Sequence, residues 1–124
     1  MKMGPLQPGE NRYYWSLADS IVEFGVANKL KVRGHCLVWH AQTPRWLFRD
    51  TEGKTISKEQ LLGRIKSHIN TVVSRYKGKV YAWDVVNEVI ADDTNYFRKS
   101  PLYNIANEDF VEQAFRYAHE ADPK

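Results

Sequence analysis

"VYAWDVVNEVIADD", Val80 to Asp93, decides the fold. Its opening residues are apolar, β-branched or aromatic, with Asp84 the one charge among them. The run follows Gly78 and is too short for a helix, so it reads as a buried strand. It stops at Asn87 and Glu88, an amide and a carboxylate side by side, and a long polar stretch follows. "KVRGHCLVW", Lys31 to Trp39, is a second β-rich run that also leads into polar and aromatic groups, Trp39 and His40. Both runs are apolar for most of their length, as parallel strands covered on two faces are.

Helical patterns lie between and around these strands. Ser57 and Gln60 form a capping box, and Leu61, Leu62, Ile65, Ile69, Val72, Val73 and Tyr76 then recur at three and four up to Gly78. A helix is expected from Ser16 to Asn28, with Ser16 and Asp19 as its capping box. Leu17, Ile21, Phe24 and Asn28 share one face of it, with Ala18, Val22 and Gly25 beside them. A last helix is expected over 107–120, with Phe110, Ala114, Tyr117 and Ala121 inward. Residues 1–12, 40–56 and 89–106 read as loops. Helix, strand, helix, strand, helix is the alternation of a parallel sheet with helical crossovers. The short connections precede the strands and the long polar ones follow them, which in barrels is the functional side. Two strands cannot close a barrel of roughly 250 residues, so the chain is either an unusual small α/β domain or one piece of a larger one.

Composition narrows the class. The chain has 124 residues, 43% hydrophobic and 27% charged, ordinary for a globular domain. Eighteen basic against 15 acidic residues give +3, and they are scattered, so no nucleic-acid footprint is expected. No apolar stretch reaches the ~18 residues a membrane span requires, so no membrane partner is expected. One cysteine, Cys36, precludes an internal disulfide. The start, "MKMGPLQPGE", has no apolar core of a signal peptide.

The chemistry concentrates at the strand ends. A carboxyl on the rim of a sheet, beside an amide, suits glycoside hydrolysis, where an acid must protonate a leaving oxygen. That points to Glu88 with Asn87. Asp84, inside the strand, needs a partner such as Arg33 or His35, and a supporting role is expected for it. His35, Leu37 and Trp39 share strand parity, so His35 and Trp39 can both face the barrel mouth. His35 and His40 have no third ligand at a sensible spacing, so no metal site is expected. Gly53–Lys54–Thr55 lacks the earlier glycine of a phosphate loop.

Together, "VRGHCLVWHAQTPRWLF" and "WDVVNE" resemble the third- and fourth-strand motifs of glycoside hydrolase family 10, the endo-1,4-β-xylanases. Met1–Lys2 followed by "LQP" resembles the start of that family's loop after the second strand. The resemblance covers essentially the whole chain. It implies the interior portion of a (β/α)8 TIM barrel over residues 1–124, from the loop after strand 2 to the helix before strand 5, with about two parallel strands and three helices. It implies Glu88 as general acid/base, and Asn87, His35, Trp39, Lys2 and Gln42 as sugar contacts. Asp84 and His40 would form the supporting network. Xylan or xylo-oligosaccharide would be the substrate, hydrolysed with retention, with no cofactor, by a secreted or periplasmic enzyme.

Three departures stand out. Cys36 occupies a position where the family often has Thr. The Glu–Asn pair that normally precedes "MK" is absent. The family's nucleophile lies in a "TELD"-like motif on a later strand, and Thr51–Glu52 does not fit it. The chain therefore carries the acid/base and not the nucleophile, and alone it is expected to be inactive. Two other readings remain: a fragment that binds sugar or associates with itself, and a related barrel β-glycanase.

Overall fold

The computed structural model describes residues 1–124. Five helices, α1 (Met3–Leu6), α2 (Ser16–Ala27), α3 (Lys58–Arg75), α4 (Pro101–Ala106) and α5 (Asp109–Ala121), surround two strands, β1 (Val32–Val38) and β2 (Val80–Val86). A 3-10 turn covers Arg45–Leu47. The strands pair in parallel, with His35 opposite Asp84 and Val38 opposite Val86. Beyond the strand, the Asn87 backbone N–H donates to the Val38 carbonyl at 3.0 Å, so the ladder continues to the site. This is the parallel strand pair with a helical crossover that the alternation implies.

α3 is the crossover. Its expected capping box forms: Gln60 N–H donates to Ser57 Oγ at 3.2 Å, and Ser57 N–H donates to Gln60 Oε1 at 3.0 Å. Leu61, Ile65, Ile69 and Val72 are wholly buried against β1, α4 and α5. Gly78, at φ +79°, turns the chain from α3 into β2, a conformation glycine adopts without penalty. α5 closes over β2 with Phe110, Ala114 and Ala121 inward, and Tyr117 partly so.

Several expectations are corrected. The capping box at Ser16 does not form: Trp15 is the N-cap, without a side-chain bond. Asp19 is taken by Arg75, at 3.0 and 2.6 Å, and by the Tyr76 hydroxyl at 2.9 Å. A bidentate charged partner outweighs a local cap. The inward face of α2 is Ala18, Val22 and Gly25, whereas Leu17 is 73% and Phe24 65% exposed. Gly25 is inward because β1 lies directly on it: a Cβ there would meet Val32 Cγ2 at 2.3 Å.

Two loops hold helices that were not expected. α1 sits in the first dozen residues, with Pro5 in its only turn, where a missing N–H costs nothing. α4 sits within 89–106, capped by Ser100 and opened by Pro101. The shared parity of His35, Leu37 and Trp39 also fails as a simple alternation. Cys36, Leu37 and Val38 are consecutively buried, and the ladder is irregular between His35 and Val38. The His35–Cys36 peptide is cis. β2 is less covered than expected, with Tyr81 exposed and its middle half-buried.

Candidate active site

The carboxyl ends of β1 and β2 bring together nearly all the residues singled out from the sequence. Asp84 is held from the neighbouring strand. Arg33 Nε donates to its Oδ1 at 2.8 Å, with a second bond from the same guanidinium. His35 Nδ1 lies 2.9 Å from its Oδ2. The two partners named from the sequence thus both bind it, because His35 and Asp84 are direct neighbours across the ladder. The Arg33 bond first, and the His35 bond second, hold the Asp84 carboxyl below the usual carboxylate range. Arg33 is 59% exposed and Asp84 24%, so the pair adds little stability. Its effect is orientation. A carboxylate on Nδ1 places the ring proton there and leaves Nε2 of His35 free as an acceptor.

Glu88 is one residue beyond Asn87, at φ +52°, in the left-handed region. A non-glycine residue there costs roughly 1–2 kcal/mol, and such positions cluster where a side chain must be aimed. Its carboxylate oxygen Oε2 accepts from Trp39 Nε1 at 2.9 Å, and His40 Nε2 lies 3.9 Å from the same oxygen. The Glu88 side chain is 50% exposed. Its polar neighbours are an indole N–H and an imidazole.

Trp39 is the hub. Its ring is 6.3 Å from His35 and 5.8 Å from His40, centre to centre, and Lys2 Nζ lies 5.4 Å over it. The hydroxyl of Thr43 donates to the Trp39 carbonyl and fixes the turn after β1. Gln42, at φ +49°, accepts at its carbonyl from Gly4 N–H at 2.8 Å, which ties α1 to this loop. A Cβ on Gly4 would approach that carbonyl oxygen to 2.7 Å, so only glycine permits the closure. Lys2 is thereby carried to Trp39. No group of three or more His, Cys, Asp or Glu side chains is placed to hold a metal ion.

The sequence reading missed Arg98. Its Nε donates to the Glu88 carbonyl at 3.0 Å, and its terminal nitrogen donates to Asp92 Oδ2 at 3.1 Å and to the Ile90 carbonyl at 3.4 Å. No local pattern announces it: an arginine ten residues away meets Glu88 only because residues 89–98 fold back as a hairpin.

Comparison with known proteins bears on this geometry. The sequence model described as glycosyl hydrolase family 10 matches residues 1–124. The chain is 52% identical over 124 residues to endo-1,4-beta-xylanase B of Paenibacillus barcinonensis, covering 99% of this chain and 37% of that protein. Its structure is similar to a GH10 endoxylanase retrieved from a sugarcane soil metagenome, with TM-score 0.96 and 51% identity over 100% of this chain and 36% of that one. An intracellular xylanase of Thermoanaerobacterium saccharolyticum, solved as a mutant with xylotriose, matches with TM-score 0.95 and 42% identity over 99% of this chain and 40% of that one. The chain spans well under half the length of these relatives.

Proposed function

The chain belongs to glycosyl hydrolase family 10, and from that premise we propose that it supplies the acid side of an endo-1,4-β-xylanase site, with Glu88 as the general acid/base. The observation that carries the reading is the Glu88 carboxylate, fixed by Trp39 Nε1 at 2.9 Å on the rim of a parallel strand pair. Asn87 precedes it in the chain, His35 and Lys2 lie against the Trp39 ring, and Gln42 follows in the same loop; these are polar groups suited to sugar hydroxyls, and the indole face of Trp39 suits a sugar ring. A relative solved with xylotriose supports a xylo-oligosaccharide as the ligand.

Glu88 protonates the glycosidic oxygen as the bond to the anomeric carbon breaks. It then takes a proton from the water that releases the glycosyl intermediate. Retention requires a second carboxylate about 5–5.5 Å away. Asp84 is four residues back along the strand, on the order of 13 Å at strand rise, and is engaged by Arg33 and His35. Asp92 is bound to Arg98. The nucleophile therefore comes from outside these residues, and the 124 residues alone should not turn over xylan.

In the protein that carries this chain with its site complete, Glu88→Gln should lower xylan hydrolysis roughly 100- to 10,000-fold while sugar binding persists. Bond cleavage in aryl xylosides with good leaving groups should suffer far less, since they need no proton. Reducing-end assays decide it. Robust turnover by the 124 residues alone means that the nucleophile lies within them, and full activity in Glu88→Gln means that the acid is elsewhere.

A further inference from the structure

Glu88 does not hold its own backbone. At φ +52° it sits in a conformation that a glutamate leaves readily for extended geometry. Such a change would swing its Cβ, and with it the carboxylate, away from Trp39 and His40. Something must oppose it, and Arg98 is the side chain that reaches this peptide.

Arg98 closes the hairpin that begins at the acid. Its own N–H donates to the Val89 carbonyl at 2.8 Å, Ile90 bridges Phe97, and Ala91 N–H donates to the Tyr96 carbonyl at 2.8 Å. From that base the guanidinium turns inward. It donates to the carbonyls of Glu88 and Ile90 and to the carboxylate of Asp92. Three acceptors on the five residues starting at the acid are thus gathered by one planar fork. The side chain is only 27% exposed, whereas that of Asp92 is 95% exposed. An ion pair with so exposed a carboxylate adds little by itself, so the grip on the turn rests on the two carbonyls as well. Lysine, with a single ammonium, cannot span the three acceptors in the same way.

We propose that Arg98 is a positioning residue for the general acid, holding the peptide of Glu88 in the left-handed turn that aims its carboxyl at the scissile oxygen. The proposal rests on the acid/base reading of Glu88. It does not require Arg98 to touch substrate.

The test uses the protein that carries this chain with its site complete, and compares kcat/KM on two substrates. A xylo-oligosaccharide needs the acid for its first step; a dinitrophenyl xylobioside does not. A misaimed acid should cost the first and spare the second. Arg98→Ala should lower kcat/KM on the oligosaccharide roughly 10- to 100-fold, the scale of an ångström-level misplacement. On the activated substrate the change should stay within about threefold. Arg98→Lys should show the same selectivity at a smaller size. If Arg98→Ala fails to fold by circular dichroism, the lysine variant decides. Equal losses on both substrates, or no loss on either, overturn the proposal. Glu88→Ala run in parallel separates the two levels. If Glu88→Ala is selective and the Arg98 variants are not, only the role of Arg98 falls. If Glu88→Ala is not selective, the acid assignment falls and takes the proposal with it.

Discussion

At the scale of single residues, the chain distinguishes groups that act from groups that only have to be buried. His68 is the second kind. It lies wholly inside α3, with Nδ1 2.6 Å from Gln7 Oε1 and Nε2 without any partner. Gln7 in turn donates to the Glu10 carbonyl at 2.7 Å, and its own carbonyl accepts from Trp46 Nε1 at 2.9 Å. A proton on Nε2 would be a buried charge with nothing to meet it, so burial pushes the imidazole down to about 4 from its ordinary 6.5. Because the folded value is the lower one, the unfolded chain binds the extra proton first. Stability is then full above pH 6.5 and falls as the pH drops from 6.5 towards 4, by on the order of 3 kcal/mol. Asp19 and Asp84, both held below 3.8, lose their contributions only at still lower pH. Melting temperature against pH in the complete protein should therefore decline between pH 6.5 and 4, and His68→Gln should flatten that limb. An unchanged slope in the variant would show that another group titrates there. His68 was not anticipated because it occupies a polar slot in an otherwise apolar helical pattern. Glu88 stood out as a candidate for the opposite reason: a carboxylate just past the end of a strand's apolar run is not there for packing.

At the scale of elements, local chemistry was readable where it was self-contained. The capping box of α3 needs only Ser57 and Gln60, and it forms. The cap of α4 was equally local, Ser100 then Pro101, and was obscured by the polar loop before it. The inward face of α2 was not readable, because its apolar residues nearly encircle it and only the neighbouring strand selects Gly25 and Val22 over Leu17 and Phe24. The strand pair makes a sharper demand. A Cβ on Gly34 would lie 2.1 Å from the Trp83 ring, across the ladder. Gly34→Ala must displace the indole or open the pair one rung from His35 and Asp84. A loss of roughly 1–3 kcal/mol is expected from such overpacking, read by denaturant melts of the complete protein. A change within ~0.5 kcal/mol, the size of an ordinary surface substitution, would mean that Trp83 can move without cost.

At the scale of the whole molecule, apolar side chains face outward where a globular domain would cover them. Leu17, Ile21 and Phe24 on α2 are exposed, and so are Tyr81 on β2 and Phe115 on α5. Two paired strands also leave backbone groups free at the sheet edge. The isolated 124 residues should therefore associate or melt without cooperativity. Analytical ultracentrifugation showing a compact monomer, with a cooperative thermal transition, would refute this.

The ladder itself imposes a rule on how such a chain can change length. His35 and Asp84 meet because they occupy one rung, and Asn87 reaches Val38 because β1 takes three steps from His35 where β2 takes two from Asp84, an offset fixed in the ladder. One codon added to or removed from either strand would send every later side chain to the opposite face. His35 would part from Asp84, and Asn87 and Glu88 would exchange sides. The turn between Arg49 and Thr55 is exposed and closed on itself by its own hydrogen bonds, so it can lengthen freely. Insertions and deletions should therefore be found in this turn and be excluded from the strands, whatever the rate of point substitution in either.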